Sequence, residues 1–68
     1  MNDWQPVFKD ERQHRAEIVK SVLKDADIAA VVVNKKDSAY GFGILEVRVQ
    51  PDDVLRAIKI VKEDIKFE

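Results

Sequence analysis

Cysteine is absent from this chain, and other residues with specific chemistry are scarce. Without a thiol the protein can form no disulfide, and no thiolate can bind zinc or an iron–sulfur cluster. The single histidine, His14, has no second ligand or acid–base partner near it in the sequence. Neither Ser21 nor Ser38 lies in a glycine-framed nucleophile motif, and Gly41 and Gly43 complete no GxGxxG phosphate loop. We therefore expect an exposed helical histidine, no metal, no cofactor and no catalytic residue.

An excess of charge of one sign and a long apolar run are also missing. Twelve Lys and Arg residues against thirteen Asp and Glu give a formal net charge of −1. Nucleic-acid-binding domains usually carry a net basic face, so no nucleic-acid partner is expected. No apolar run approaches the roughly 20 residues of a membrane span, and the first residues lack the hydrophobic stretch of a signal peptide. These features predict a cytoplasmic protein that does not contact a membrane.

What is present is the composition of one small folded domain spanning residues 1–68. Hydrophobic residues make up 46% of the chain and charged residues 37%, as in ordinary globular proteins. A domain of this length is near the lower limit at which one apolar core suffices. We therefore expect self-association to supply part of its stability, with a dimer as the simplest homo-oligomer.

The first half of the chain has two patterns. Residues 4–9 are aromatic and β-branched and predict a strand, which Pro6 should confine to an edge of the sheet because proline has no amide donor. A helical period follows from Asp10, a candidate N-cap, to Asp25. Asp27 is expected to end this helix in the left-handed conformation. The core stripe comprises Ala16, Val19, Val22, Leu23 and Ala26.

Two further strands should form a β-hairpin. Residues 28–33 are apolar on both faces, which is typical of a central strand or of a strand whose second face is covered by another subunit. Residues 44–50 alternate, with Leu45, Val47 and Val49 on one face and polar residues on the other. The connection between these two strands is about nine residues long, slightly more than the commonest hairpin loops.

A second helix begins at Pro51, the favoured first helical position, and Asp52 and Asp53 suit the positive end of its dipole. Residues 65–68 either fray or add a short fourth strand. The order β-α-β-β-α with right-handed crossovers predicts an α+β, ferredoxin-like two-layer sandwich with both helices on one face of an antiparallel sheet. The predicted core stripe of this helix is Val54, Ile58, Val61 and Ile65, flanked by Leu55 and Ala57.

The sheet face without helices is a candidate subunit interface. Because the strand at 28–33 cannot turn all its apolar side chains toward the helices, either Ala29, Val31 and Val33 or Ala30 and Val32 lie on that face. Aromatic residues could also stack on bases, but an RNA-recognition sheet places them on the central strands, where this chain has valines and a leucine. The predicted interface residues are Trp4, Ala29, Val31, Val33 and Phe42.

The polar connection after this strand is a candidate binding site. Lysine ammonium groups, a carboxylate and two hydroxyls offer hydrogen-bond donors and acceptors at an exposed tip, where small domains often carry their function. The alternative is a solvated hairpin loop with local turns. The candidate binding residues are Lys35, Lys36, Asp37, Ser38 and Tyr40.

The segment AEIVKSVLKDADIAAVVVNKKDSAYGFGILEVRVQPDDVLRAIKIV, after the strand that contains Trp4 and Val7, resembles the DUF2007 family. The distinctive part is the run from Asn34 to Tyr40. This resemblance covers nearly the whole chain and implies the βαββαβ fold of the PII nitrogen-regulatory proteins and a role in prokaryotic signal transduction. The chain differs from the family at Asp27, where glycine is usual. Its connection is shorter than the PII regulatory loop, so ATP or 2-oxoglutarate sensing is not implied.

Two functions are open at this point. The first is a non-enzymatic regulatory or adaptor domain that self-associates through the bare sheet face and contacts a protein partner. The second is a sensor of a small metabolite or nucleotide that binds in a groove at a subunit interface. Its polar contacts would be Lys36, Tyr40, Glu46 and Arg48.

Overall fold

The computed structural model describes residues 3–37 and 42–67. These residues form an α+β fold in the predicted order β-α-β-β-α. A 3-10 turn precedes the second helix. The elements are β1 (Gln5–Asp10), α1 (Gln13–Asp25), β2 (Ala30–Asp37), β3 (Phe42–Val49), the 3-10 turn Pro51–Asp53 and α2 (Val54–Asp64).

The three described strands form one antiparallel sheet in the order β1-β3-β2. The strand predicted over residues 28–33 was expected to be central or covered by another subunit. It begins only at Ala30 and lies at an edge of the described sheet, so the central position was wrong. Strand order depends on long-range pairing, which the hydrophobicity of one strand does not encode. The covering subunit stays a prediction.

The β2–β3 hairpin extends further than its apolar residues indicate. Backbone pairing continues from Ala30 opposite Val49 to Asp37 opposite Phe42. The predicted nine-residue connection was therefore too long, because residues 34–37 and 42–43 belong to the strands. Polar side chains are compatible with a strand in which one face meets water. Only residues 38–41 separate the two strands.

Strand β1 is at the edge that Pro6 predicted. Its pairing with β3 shifts between Pro6 and Phe8, so that one extra residue is inserted opposite β3. A β-bulge of this kind increases local twist and is common at sheet edges. Proline is tolerated here because an edge strand is hydrogen-bonded to a neighbour on one side only, so not every residue needs a backbone amide donor.

Helix α1 begins at Gln13 with Arg12 as its N-cap, two residues later than predicted. Asp10 does not cap it; instead its carboxylate accepts a hydrogen bond from the backbone amide of Arg12 at 2.8 Å, forming a turn before the helix. The predicted end is confirmed, because Asp27 has a φ of 63°. The Asp27 amide donates to the Lys24 carbonyl at 3.0 Å and the Ile28 amide to the Leu23 carbonyl at 2.9 Å, a Schellman motif.

Both helices contribute to the same core as one face of β3. From its predicted stripe α1 contributes Ala16, Val19 and Leu23, and α2 contributes Ala57. Leu55 is 83% exposed and lies outside the core. Arg56 also joins the two helices, since its Nη2 donates to the Ala26 carbonyl at 3.0 Å. The buried core residues are Ala16, Val19, Leu23, Ile28, Val47, Val49 and Ala57.

The chain after α2 packs back against β1 without forming a strand over residues 65–67. The Phe67 ring lies 5.8 Å from the Phe8 ring between centroids. The guanidinium of Arg15 lies 4.8 Å from the centroid of the Phe67 ring, a cation–π distance. Ile65 and Phe67 thereby close one side of the core.

Candidate functional site

The strand register defines which side chains lie opposite the helices. Residues directly opposite each other on neighbouring strands share a face. Val32 lies opposite Val47, and both face the core. The alternate residues therefore form a second surface, called here the open face. Its described side chains are those of Pro6, Lys9, Val31, Val33, Lys35, Ile44, Glu46 and Arg48.

A buried carboxylate lies at the centre of the open face. Glu46 is only 8% exposed although no described helix covers it. Arg48 donates to Glu46 Oε1 from Nε at 2.9 Å and from Nη2 at 2.6 Å. Lys9 Nζ lies 3.7 Å from Glu46 Oε2. These three side chains from β1 and β3 form one ion-pair cluster.

The charges around Glu46 determine its protonation. Burial by itself raises the pKa of this carboxyl. The hydrogen bonds and positive charge of Arg48, with the further charges of Lys9 and Lys35, outweigh burial and hold the pKa below its ordinary value of 4.5. Glu46 is therefore ionised at neutral pH. It stabilises the guanidinium of Arg48 in a fixed position on the sheet.

Beside this cluster, toward the β2 edge, the open face carries three aliphatic side chains. Val33 lies opposite Glu46 and diagonal to Ile44, while Val31 lies opposite Arg48. All three aliphatic side chains remain partly exposed to solvent. The open face thus combines an aliphatic strip on β2 and β3 with a charged centre.

The predicted interface residues are only partly brought together. Val31 and Val33 lie on the open face, whereas Ala30 and Val32, the alternative set, pack against the core. Ala29 is exposed but precedes β2, and Trp4 is half-buried before β1. They are absent from this face because neither belongs to a described strand. Phe42 lies opposite Asp37 in the backbone register, and its side chain is outside the described residues.

The predicted binding residues do not form one loop. Lys35, Lys36 and Asp37 belong to β2, and their backbone is paired with β3. Lys35 is exposed on the open face. Ser38 and Tyr40 lie outside the described residues. The surface that Lys35 shares is therefore the open face and not a hairpin tip.

Two open-face residues, Lys9 and Ile44, are not among the candidate site residues predicted from the sequence. The pairing of Glu46 with Arg48 could have been found, because residues two apart on a strand share a face. Ile44 follows from the same rule, because it lies two residues before Glu46 on the strand predicted over residues 44–50. The position of Lys9 could not have been assigned in this way, since it depends on the strand order β1-β3-β2.

The described ranges also bear on other chemistry. His14 is exposed on α1, as predicted. Within residues 3–37 and 42–67, no group of three or more His, Asp or Glu side chains is placed to hold a metal ion. Neither described helix has the length and apolarity needed to cross a membrane. Comparisons with protein-family models, curated proteins and solved structures found no match to this chain.

Proposed function

We propose that this protein is a small non-enzymatic regulatory or adaptor domain that acts by contact with a protein partner and by self-association. The single observation that supports the proposal is the composition of the open face. Val31, Val33 and Ile44 are partly exposed there beside a fixed ion-pair cluster. Exposed aliphatic groups beside oriented charges are the usual elements of a protein interface.

We also propose that the fold is ferredoxin-like and that the chain is a DUF2007-type domain with a role in signal transduction. Antiparallel strands in the order β1-β3-β2 leave β1 and β2 parallel with β3 between them. That arrangement is the split βαβ unit from which ferredoxin-like domains are built. It supports the proposed fold without assigning an activity, because one fold serves many functions.

The charges of the open face favour an acidic partner surface. Lys9, Lys35 and Arg48 bring three cations close to the Glu46 carboxylate on this face. The Lys9 side chain is 61% exposed, whereas that of Glu46 is 11% exposed. A partner therefore meets the cations first, and complementary carboxylates would accelerate its association.

The same charges oppose a direct stack of two open faces. Such a dimer would place the Lys9, Lys35 and Arg48 groups of two copies near each other, and like charges across an interface are costly. Self-association should therefore use the valine-bearing border of this face at β2. The charged centre stays available for a different protein.

Self-association is tested by sedimentation equilibrium at tens of micromolar protein. The double variant Val31→Thr with Val33→Thr keeps β-branching and shape but makes the aliphatic strip polar. We expect it to weaken self-association about tenfold, as loss of interface anchors does. Leu55→Gln, on the outer face of α2, is the matched control and should leave association unchanged. A folded wild-type monomer throughout this concentration range would contradict the self-association.

Contact with an acidic partner is tested separately. A fluorescent peptide rich in Asp and Glu should bind the wild type more tightly than Lys9→Gln or Lys35→Gln variants, with the difference reduced by salt. Lys59→Gln, on α2, is the charge-matched control. Equal binding by all variants would remove the open face from partner recognition.

The small-ligand sensor remains the alternative. Arg48 is already engaged by Glu46, so an anionic ligand would have to compete for that guanidinium. A thermal-shift screen of nucleotides, amino acids and small carboxylic acids distinguishes the two functions. A ligand that binds only the folded state must raise the melting temperature. A saturable rise that Arg48→Lys abolishes would replace the adaptor function with the sensor function.

A further inference from the structure

The two edges of the described sheet differ in how they resist pairing with another strand. β1 carries Pro6 and a bulge, two features that block strand addition. β2 pairs with β3 without any shift of register from Ala30 to Asp37. Its charged residues, Lys35, Lys36 and Asp37, are confined to its C-terminal end. The segment Ala30–Asn34 is therefore a regular, uncharged strand edge.

This segment also has the side chains of an interior strand. Ala30 and Val32 pack against the core, while Val31 and Val33 occupy the open face and remain partly exposed. Strands that are apolar on both faces normally have neighbours on both sides. Among the described residues, β2 is hydrogen-bonded only to β3. Its outer amide and carbonyl groups have the geometry to accept another strand.

We propose that residues 30–34 pair with the same segment of a second copy of this chain, antiparallel about a two-fold axis at Val32. This inference rests on the self-association proposed above and names the surface that carries it. In this arrangement Val31 of each copy lies opposite Val33 of the other on the open face. Ala30 lies opposite Asn34 on the helix side.

The register follows from symmetry and charge. When two copies of one strand pair antiparallel about a two-fold axis, the axis must pass through a residue, which then lies opposite its own copy. Only then do side chains on the same face of the sheet lie opposite each other. An axis at Val33 would place Val31 opposite Lys35, and an axis at Lys35 would oppose two lysines. An axis at Val31 would pair only Ala30 to Val32 within the strands. The Val32 axis aligns five uncharged pairs and sets valine against valine.

The resulting dimer has a continuous sheet of six strands, three from each copy. The two open faces join into one wider surface with four valines at its centre and a Lys9–Glu46–Arg48 cluster on either side. One strand edge is smaller than the roughly 800 Å² per partner of a standard interface. We therefore expect a reversible dimer at tens of micromolar protein, and a covalent trap reports its register, which sedimentation does not.

The absence of cysteine makes the test direct, because each introduced thiol is the only one in its chain. Val31→Cys and Val33→Cys are mixed in equal amounts under a mildly oxidising glutathione buffer. Opposed residues of antiparallel strands have Cα atoms about 4.5–5.5 Å apart, within disulfide range. Leu55→Cys, also solvent-exposed, measures collisional cross-linking. Circular dichroism of each variant confirms that it is folded.

The mixed disulfide between a Val31→Cys copy and a Val33→Cys copy should form at least about tenfold faster than the Leu55→Cys dimer. It should also prevail over either homodimer. Mixed cross-linking at the collisional rate, or a dominant Val33→Cys homodimer, would overturn the proposed pairing. If sedimentation shows a dimer while the mixed disulfide fails, self-association stands and only the β2 edge is refuted. If the wild type is monomeric and cross-linking is collisional, both are refuted.

Discussion

Arg48 and Glu46, two residues apart on β3, are joined by two hydrogen bonds to a single carboxylate oxygen. Both side chains project from the open face, and Glu46 is nearly buried there by its neighbours and not by a helix. Breaking one member of such a pair leaves the other charge without its partner. The relationship therefore links the stability of the sheet to the electrostatics of the proposed partner surface.

Replacement of Glu46 by Gln should destabilise the fold by about 1–2 kcal/mol at neutral pH, because a charge-assisted acceptor is lost and the amide offers Arg48 a competing donor. Urea unfolding monitored by circular dichroism measures the change. Glu63→Gln, exposed on α2, controls for loss of one negative charge. Equal stability of the two variants would show that the Arg48 hydrogen bonds contribute nothing net.

The pH dependence of stability follows from the same carboxyl. The folded pKa of Glu46 is lowered from its ordinary value of 4.5, so its stabilising contribution is complete above that value and is lost as the pH falls through the folded pKa. Asp10 adds a contribution of the same sign, because the Arg12 amide and the nearby guanidinium groups lower its pKa. We expect a smaller acid-induced loss of unfolding free energy in Glu46→Gln than in the wild type. Urea titrations at several pH values measure this. An equal fall in unfolding free energy with decreasing pH in the variant and the wild type would contradict the role given to Glu46.

Asp27 has a left-handed φ that a residue with a Cβ adopts at some cost. Asp27→Gly should raise the unfolding free energy by up to about 1 kcal/mol, while Asp27→Val should lower it by at least that amount. Glu17→Gly, exposed in the interior of α1, provides the opposite control and should destabilise by roughly 0.5–1 kcal/mol. Thermal unfolding of the three variants shows whether each substitution raises or lowers the melting temperature relative to the wild type.

Two leucines provide a matched pair for the core. Leu23 is 0% exposed and Leu55 is 83% exposed. Leu23→Ala should cost about 2–5 kcal/mol through lost burial and a residual cavity. Leu55→Ala should change the unfolding free energy by less than about 0.5 kcal/mol. A large loss from Leu55→Ala would reveal a contact that the single chain does not make, and denaturant titration at two protein concentrations would expose it.

The C-terminal contact of Phe67 is open to a double-mutant cycle. Phe67→Ala should destabilise by about 1–2 kcal/mol because it removes the packing on Phe8 and the cation–π contact with Arg15. The coupling between Arg15→Ala and Phe67→Ala should be about 0.5–1 kcal/mol. Lys66→Ala is the neighbouring control. Additive effects of the two substitutions would exclude an energetic role for the cation–π contact.

Local features of this fold could be predicted from the sequence because each depends on residues near in the chain. The apolar spacing of Ala16, Val19 and Leu23 predicted the buried stripe of α1, and Asp27 predicted its end. Pro6 predicted an edge strand because it lacks an amide donor. The alternation of β3 separated Val47 and Val49 from Glu46 and Arg48.

Predictions failed where distant pairing decided the outcome. The expectation of a central strand at 28–33 treated two-sided apolarity as a measure of position, but β3 pairs with both neighbours and leaves β2 at the edge. Leu55 fitted the flank of a helical stripe, yet the placement of α2 turned it to solvent and made Ala57 the buried residue.

The sequence by itself determined the order of elements, the helix end at Asp27 and the alternation of β3, because local conformation and side-chain periodicity are properties of short segments. Tertiary structure alone decided that Lys9 meets Glu46, that Val31 and Val33 share the open face, and that Phe67 reaches Phe8. Such contacts join residues far apart in the chain, and their selection depends on how all the strands and helices pack together.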